Sequence, residues 1–261
     1  MAILELKDVS FSYGDLKVLE KINLSLNEGD FLGILGPNGA GKSTLMKIMS
    51  GALKPREGLV LFEGKEISSV NRRELARKIA FVPQQMPFDF PFTGKEFVMM
   101  GRFPYTGILG IESAEDEKIV EKVMKLSDTA GLSSRLVNMV SGGERQRLII
   151  AQALAQDSGT ILLDEPTAHL DIKHQVQILD ILRKMNREKN ITAASALHDL
   201  NLSAAYCEKL LFLKDGKIFA EGTPAGVFKK EIIEEVFETP VEVLPASEER
   251  IQAVVLLSAK E

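Results

Sequence analysis

Gly36-Pro37-Asn38-Gly39-Ala40-Gly41-Lys42-Ser43-Thr44 separates two apolar runs of opposite character. Residues 30–35 before it are short and apolar enough for a buried strand. Residues 45–50 after it show helical periodicity with a stop at Gly51. A strand, a glycine-rich turn and Lys-Ser at a helix start form the context of a P-loop. Gly36, Gly39 and Gly41 let the backbone take left-handed conformations and bring N–H groups close to phosphate oxygens. The helix N-terminus adds partial positive charge, Lys42 can reach the β- and γ-phosphates, and the Ser43 hydroxyl can ligate magnesium. The pattern predicts a chain that binds a nucleoside triphosphate.

At 261 residues the chain has room for one large domain or two small ones, and 45% hydrophobic composition is ample for a core. A net charge of -5 argues against a protein that works on nucleic acid through the phosphate backbone. The single Cys207 excludes an internal disulfide and fits a reducing compartment. The start, Met-Ala-Ile-Leu-Glu-Leu-Lys, carries neither a basic n-region nor a long apolar run, so no export signal is expected. No uncharged apolar stretch approaches the roughly 18–20 residues that span a bilayer. Any membrane role is therefore expected to run through another subunit.

Along the chain, residues 2–35 read as β-rich, with strands over 3–11, 18–26 and 31–35 and turns at Gly14-Asp15 and Glu28-Gly29. A strand is expected at 58–62, a solvated basic helix face at 71–78 and a buried strand at 79–82. Residues 85–157 read as a largely helical insert in an α/β core. It opens with a proline-broken aromatic loop over 85–92. Thr93-x-x-Glu96 and Ser141-x-x-Glu144 have capping-box spacing, and a helix is expected over 114–126. The core resumes with a strand at 160–164, a helix over about 173–187 and a strand at 191–197 that is short of β-branched residues. A hairpin of 210–214 and 217–220 turns at Asp215-Gly216. Helix over 224–236 and β-like runs at 241–244 and 251–257 close the chain. The main domain is placed at 1–239, with a small addition at 240–261.

The remaining chemistry sits at strand and helix ends. Asp164 suits a carboxylate that holds magnesium through water, and Glu165 can orient or deprotonate an attacking water; the same pair can also act as caps or ion-pair partners. His198, one of three histidines, follows a predicted strand, where a phosphate contact and a structural role are both open. Tyr13 can stack on an adenine or simply finish a strand. Ser141-Gly142-Gly143 exposes the N–H groups of another helix start, a second anion site or an ordinary capped helix. One chain with one P-loop has no need of it, whereas two facing copies can each use it to close over the other's nucleotide.

With these elements in order over nearly its whole length, the sequence resembles the ATP-binding subunit of ABC transporters. The resemblance implies an α/β P-loop NTPase core with an N-terminal antiparallel β subdomain and an inserted helical subdomain, binding ATP with Mg2+. Gly36–Thr44 is similar to Walker A, and the strand ending in Asp164 and Glu165 to Walker B with its catalytic glutamate. Gln84 falls on the Q-loop glutamine, where it serves catalysis and the metal. Ser141, Gly142, Gly143 and Glu144 fall on the signature motif, Asp171 on the D-loop, His198 on the switch histidine and Tyr13 on the adenine-stacking aromatic. Glu144 stands where the commonest family form has Gln.

By the same resemblance the chain works as a homodimer around two nucleotides, on the cytoplasmic face of the membrane. It drives permease subunits that dock on the segment after Gln84, and it serves a substrate-binding protein indirectly. Val82–Gln85, Met100–Pro104, His198–Asn201 and Gly222–Pro224 resemble importer subunits for iron-siderophores, haem and cobalamin. Residues 86–92 and 97–100 are the candidates for the permease groove. A soluble ATPase of an assembly pathway, such as iron–sulfur cluster biogenesis, is the alternative.

Overall fold

The structure is a computed structural model and describes residues 2–86, 91–106, 112–246 and 252–257. The chain forms two compact units, Met1–Ser69 with Thr192–Glu261, and Val70–Ile191.

The first unit opens with β1 (Ala2–Tyr13) and β2 (Leu16–Asn27), an antiparallel pair turning at Gly14. Ile22, Leu24 and Leu26 of β2 are buried while Lys21, Asn23 and Ser25 between them are exposed, the period-two pattern of a strand with one wet face. Next come β3 (Phe31–Leu35), α1 (Lys42–Met49), β4 (Glu57–Phe62) and β5 (Lys65–Glu66). β2, β1, β4 and β5 form an antiparallel sheet in that order, the N-terminal β subdomain expected from the sequence.

The second unit contains α2 (Arg72–Ala76), β6 (Ile79–Val82), α3 (Gly94–Met99), α4 (Ala114–Leu126), α5 (Gly142–Ala155), β7 (Thr160–Asp164) and α6 (Ile172–Lys189). β6 and β7 run parallel, with Val82 opposite Leu163. Both expected capping boxes form, and Ser113 with Asp116 makes a third at the start of α4. α5 buries Leu148, Ile149, Ile150, Ala151, Ala153 and Leu154, almost the whole girth of a helix inside the unit.

The chain returns to the first unit with β8 (Thr192–Ala196), α7 (Leu200–Tyr206), β9 (Lys209–Lys214), β10 (Lys217–Gly222), α8 (Pro224–Val227), α9 (Lys230–Phe237), β11 (Val241–Leu244) and β12 (Ala253–Leu256). β3 is flanked by β8 and β9, both parallel to it, with β10 antiparallel on β9. β8 is fully buried despite its Ala-Ala-Ser-Ala run, and α1 packs against it. Small side chains let a helix approach closely, so packing here overrides strand propensity. Asp215 (φ 48°) and Gly216 (φ 73°) both take the left-handed turn conformation that a two-residue hairpin requires. The helix expected over 224–236 is split, because Phe228 leaves helical geometry (φ -81°, ψ 61°) and is completely buried. β11 and β12 pair antiparallel, Val241 opposite Leu256 and Leu244 opposite Ala253.

Candidate functional site

In the first unit, β3 runs into the glycine loop and the loop into α1. Gly36 has φ 154°, and a Cβ there would lie 2.2 Å from the carbonyl oxygen of Leu213. Gly41 is the N-cap of α1 at φ 102°, and a Cβ would meet Leu19 at 2.7 Å and the Val18 carbonyl at 3.0 Å. Only glycine fits either place. Asn38 and Gly39 form the exposed crest, and Ala40 closes the turn through its N–H on the Pro37 carbonyl at 3.2 Å. No side chain caps α1. The Lys42 ammonium, buried to 4% exposure, donates to the carbonyls of Gly36 at 2.8 Å and Pro37 at 3.0 Å. A fixed cation inside a glycine turn at a helix start is an anion cradle. Ser43 is half-buried and Thr44 buried on the first turn of α1.

Tyr13 ends β1 at 48% exposure, its ring edge-on to Phe11 with centroids 4.9 Å apart. An aromatic so exposed has a face available for stacking. His198 follows β8 and is exposed, and the next residue, Asp199, caps α7 by accepting from the N–H of Leu202 at 2.8 Å.

In the second unit, β7 delivers Asp164, at 2% exposure, and then Glu165. Glu165 has φ 53°, a conformation costing roughly 1 kcal/mol or more for a residue with a Cβ. The β6–β7 register sets Gln84 two residues past Val82 beside Glu165 two residues past Leu163. There the Gln84 amide donates to Glu165 Oε2 at 2.5 Å. Two acids and an amide named separately from the sequence thus converge on one edge.

At the start of α5, Ser141 Oγ accepts from the N–H of Glu144 at 3.3 Å, and Glu144 Oε2 accepts from the N–H of Ser141 at 2.8 Å. That backbone bond, followed by the Ser141 hydroxyl, holds the Glu144 carboxyl below its ordinary range. Arg135 Nη1 lies 3.1 Å from its other oxygen. The Glu at this place therefore completes the box and gains an ion pair as well. A Cβ on Gly142 would meet nothing within 4 Å, so its side of the helix start is open.

Asp171 caps α6, accepting from the N–H of His174 at 2.9 Å and from its ring Nδ1 at 2.8 Å. The backbone bond, and after it the ring, keep the Asp171 carboxyl below its usual range. Gln175 donates to the carbonyls of Leu170 at 2.9 Å and Thr167 at 3.4 Å, fixing the loop from inside.

Sequence reasoning passed over His174 and Gln175, although Asp-x-x-His at a helix start is legible as cap spacing. It also passed over the buried pair of Arg102 and Asp116, Nε to Oδ1 2.8 Å, with Arg102 Nη1 donating to the Ala155 carbonyl at 2.8 Å. Of the groove candidates, residues 87–90 lie outside the described ones. Phe97, Val98 and Met99 are all buried and belong to packing, although Met99 also reaches a groove wall. Met99 and Met100 line an open groove of about 480 Å³ with Phe92 and Phe103.

A lysine-bearing glycine cradle, a strand ending in paired acids and a second glycine-opened helix define a P-loop ATPase. The family model described as ABC transporter matches residues 19–168, more than half of the sequence, and the chain belongs to that family. The ferric enterobactin transport ATP-binding protein FepC of Escherichia coli (strain K12) is 38% identical over 231 residues, 88% of this chain and 85% of that protein. An inward-facing transporter assigned to the metal-chelate type superposes with TM-score 0.87 at 27% identity, covering 98% of each chain. The dimeric ATP-binding cassette MJ0796 in a post-hydrolysis state with ADP and Pi gives TM-score 0.74 at 33% identity, covering 84% of this chain and 98% of that one. ATP hydrolysis coupled to transport is the activity of this family.

Proposed function

We propose that this chain is the ATP-hydrolysing motor subunit of an importer for an iron chelate, haem or cobalamin. Two copies bind ATP between the P-loop of one and the Ser141-Gly142-Gly143 helix start of the other, peripherally on the cytoplasmic face of the membrane. The observation that carries the reading is the presence, in a single chain, of a cationic glycine cradle and a second glycine-opened helix start with an open face. A dimer among the related structures and the chelate-transport relatives support it. Among the described residues no helix is long and apolar enough to cross a membrane, which suits a motor that works through permease subunits.

Gly36–Thr44 hold the phosphates, Lys42 offsets charge on the β- and γ-phosphates, and Tyr13 stacks on the adenine. Of the residues expected to hold magnesium, Ser43 in the first unit offers a hydroxyl oxygen, and Gln84 and Asp164 in the second offer an amide and a carboxylate oxygen, each a hard donor that suits this cation. Magnesium held there would supply positive charge that offsets the charge of the phosphate oxygens. Glu165 accepts the proton of the attacking water, Gln84 holds that carboxylate in place, and His198 and Asp171 serve in the switch and D-loop roles. The groove of Phe92, Met99, Met100 and Phe103 receives the permease.

Affinity purification of the Glu165→Gln protein from its native membranes with ATP present tests this. ATP binding persists, turnover falls about 100- to 1,000-fold, and a polytopic permease comes along. A soluble partner without a membrane protein moves the assignment to the assembly pathway, and full turnover in the variant removes Glu165 from the reaction.

A further inference from the structure

Gly143 is glycine for a reason its backbone does not supply, since it has no positive φ. A Cβ built on it would lie 2.9 Å from Cδ2 of His174, 3.0 Å from Cγ and 3.1 Å from Nε2. The imidazole therefore lies directly on the first turn of α5. The ring is not at liberty to swing away. Its Nδ1 stands 2.8 Å from Asp171 Oδ1, a carboxylate that can only accept there, so Nδ1 carries the proton and donates. Asp171 is itself fixed as the cap of α6, and the neighbouring Gln175 pins the carbonyls of Thr167 and Leu170 in the loop leading to it. The chain of contacts runs from the loop after Glu165, through Asp171 and the His174 ring, to the helix start at Ser141-Gly142-Gly143.

We propose that His174 is a positioning residue for the ATP-bound dimer: its ring, oriented by Asp171, sets where the N–H groups of Gly142 and Gly143 stand. This rests on the sandwich reading above, in which that helix start closes on the γ-phosphate held by the other copy. His174 touches no nucleotide in this role. It transmits the placement of the loop at 165–171 to the helix start, and a shift of a few tenths of an ångström at the ring moves a hydrogen-bond donor at the phosphate.

The test uses the full chain in the Glu165→Gln background, reading ATP-dependent dimerisation by sedimentation, Mg-ATP binding to the single chain by titration calorimetry, and the thermal midpoint. His174→Ala weakens dimerisation about tenfold while single-chain ATP affinity stays within about twofold and the midpoint holds, a separation that simple loss of stability does not produce. Gly143→Ala alone weakens dimerisation by pushing on the ring, and Gly143→Ala/His174→Ala recovers part of that loss because the methyl then fits where the ring was. Unchanged dimerisation in His174→Ala overturns the assignment, as does a double variant no better than Gly143→Ala. A Glu165→Gln chain that never dimerises with ATP overturns the sandwich reading, and this assignment with it.

Discussion

The two glycine-rich helix starts, at α1 and at α5, solve the same electrostatic problem by different means. α1 has no side-chain cap; its N-cap is a left-handed glycine, and a buried lysine sits back against the loop carbonyls. α5 is closed on itself by the Ser141–Glu144 box, and its glycines are in ordinary helical backbone, one open to its surroundings and one pressed by His174. A cradle that supplies its own cation and leaves its helix uncapped is organised to bind an anion alone. A helix start that is already capped carries the Glu144 carboxylate of its own box in place of a buried lysine. Its partner must arrive held by something else, and in the proposed dimer that holder is a second copy of the chain.

The largest effect that separates the two falls on the glycines. Gly36→Ala drives a Cβ into the Leu213 carbonyl and destabilises the fold by about 3 kcal/mol or more. Gly142→Ala meets nothing and stays within about 1 kcal/mol. Urea titration of both variants gives the ratio, and equal losses would break the contrast. Next, Lys42→Ala lowers ATP affinity of the single chain about 10- to 100-fold by calorimetry, as expected for loss of charged hydrogen bonds; undiminished affinity would take the lysine out of the cradle.

The third box sharpens the view of a cap as a stability device. Asp116 is buried, and the Ser113 hydroxyl, then the Ser113 N–H, then Arg102 hold its carboxyl at about 2 against an ordinary 3.8. A depressed carboxylate stabilises fully above its unfolded value, and that contribution is lost as pH falls from near 3.8 through about 2. The amount is about 2 kcal/mol, and Asp116→Asn reduces the acid dependence in denaturation curves across that window by about that much, the other lowered carboxylates keeping theirs. Smallest is Ser141→Ala, which costs about 1 kcal/mol of stability through the lost cap. Its single-chain ATP affinity is unchanged while ATP-dependent dimerisation weakens, so a drop in single-chain affinity would erase the difference between the two helix starts.

Much of the fold was legible because it is local. The strands at 31–35 and 160–164, the helix at 114–126, the boxes at Thr93 and Ser141 and the hairpin at Asp215-Gly216 follow from periodicity, cap spacing and turn chemistry within a few residues. β8 was harder, since Ala and Ser carry little strand preference and only its neighbours bury it. The break at Phe228 was invisible, because a Phe in a helical run gives no sign that its ring is drawn into the core. In the same way Phe97 and Met99 read alike as apolar helix residues and both are buried, and only their placement around α3 brings Met99 to the groove.

By itself the sequence determined the anion cradle at Gly36–Thr44, the acids at Asp164 and Glu165, and the second helix start at Ser141, because those motifs are contiguous and their chemistry is set by residue type and spacing. Only the tertiary structure decided that Gln84 holds Glu165 and that the His174 ring stands on Gly143. These pairs lie far apart along the chain, and contact across such separations is fixed by strand register and helix packing, which no local pattern encodes.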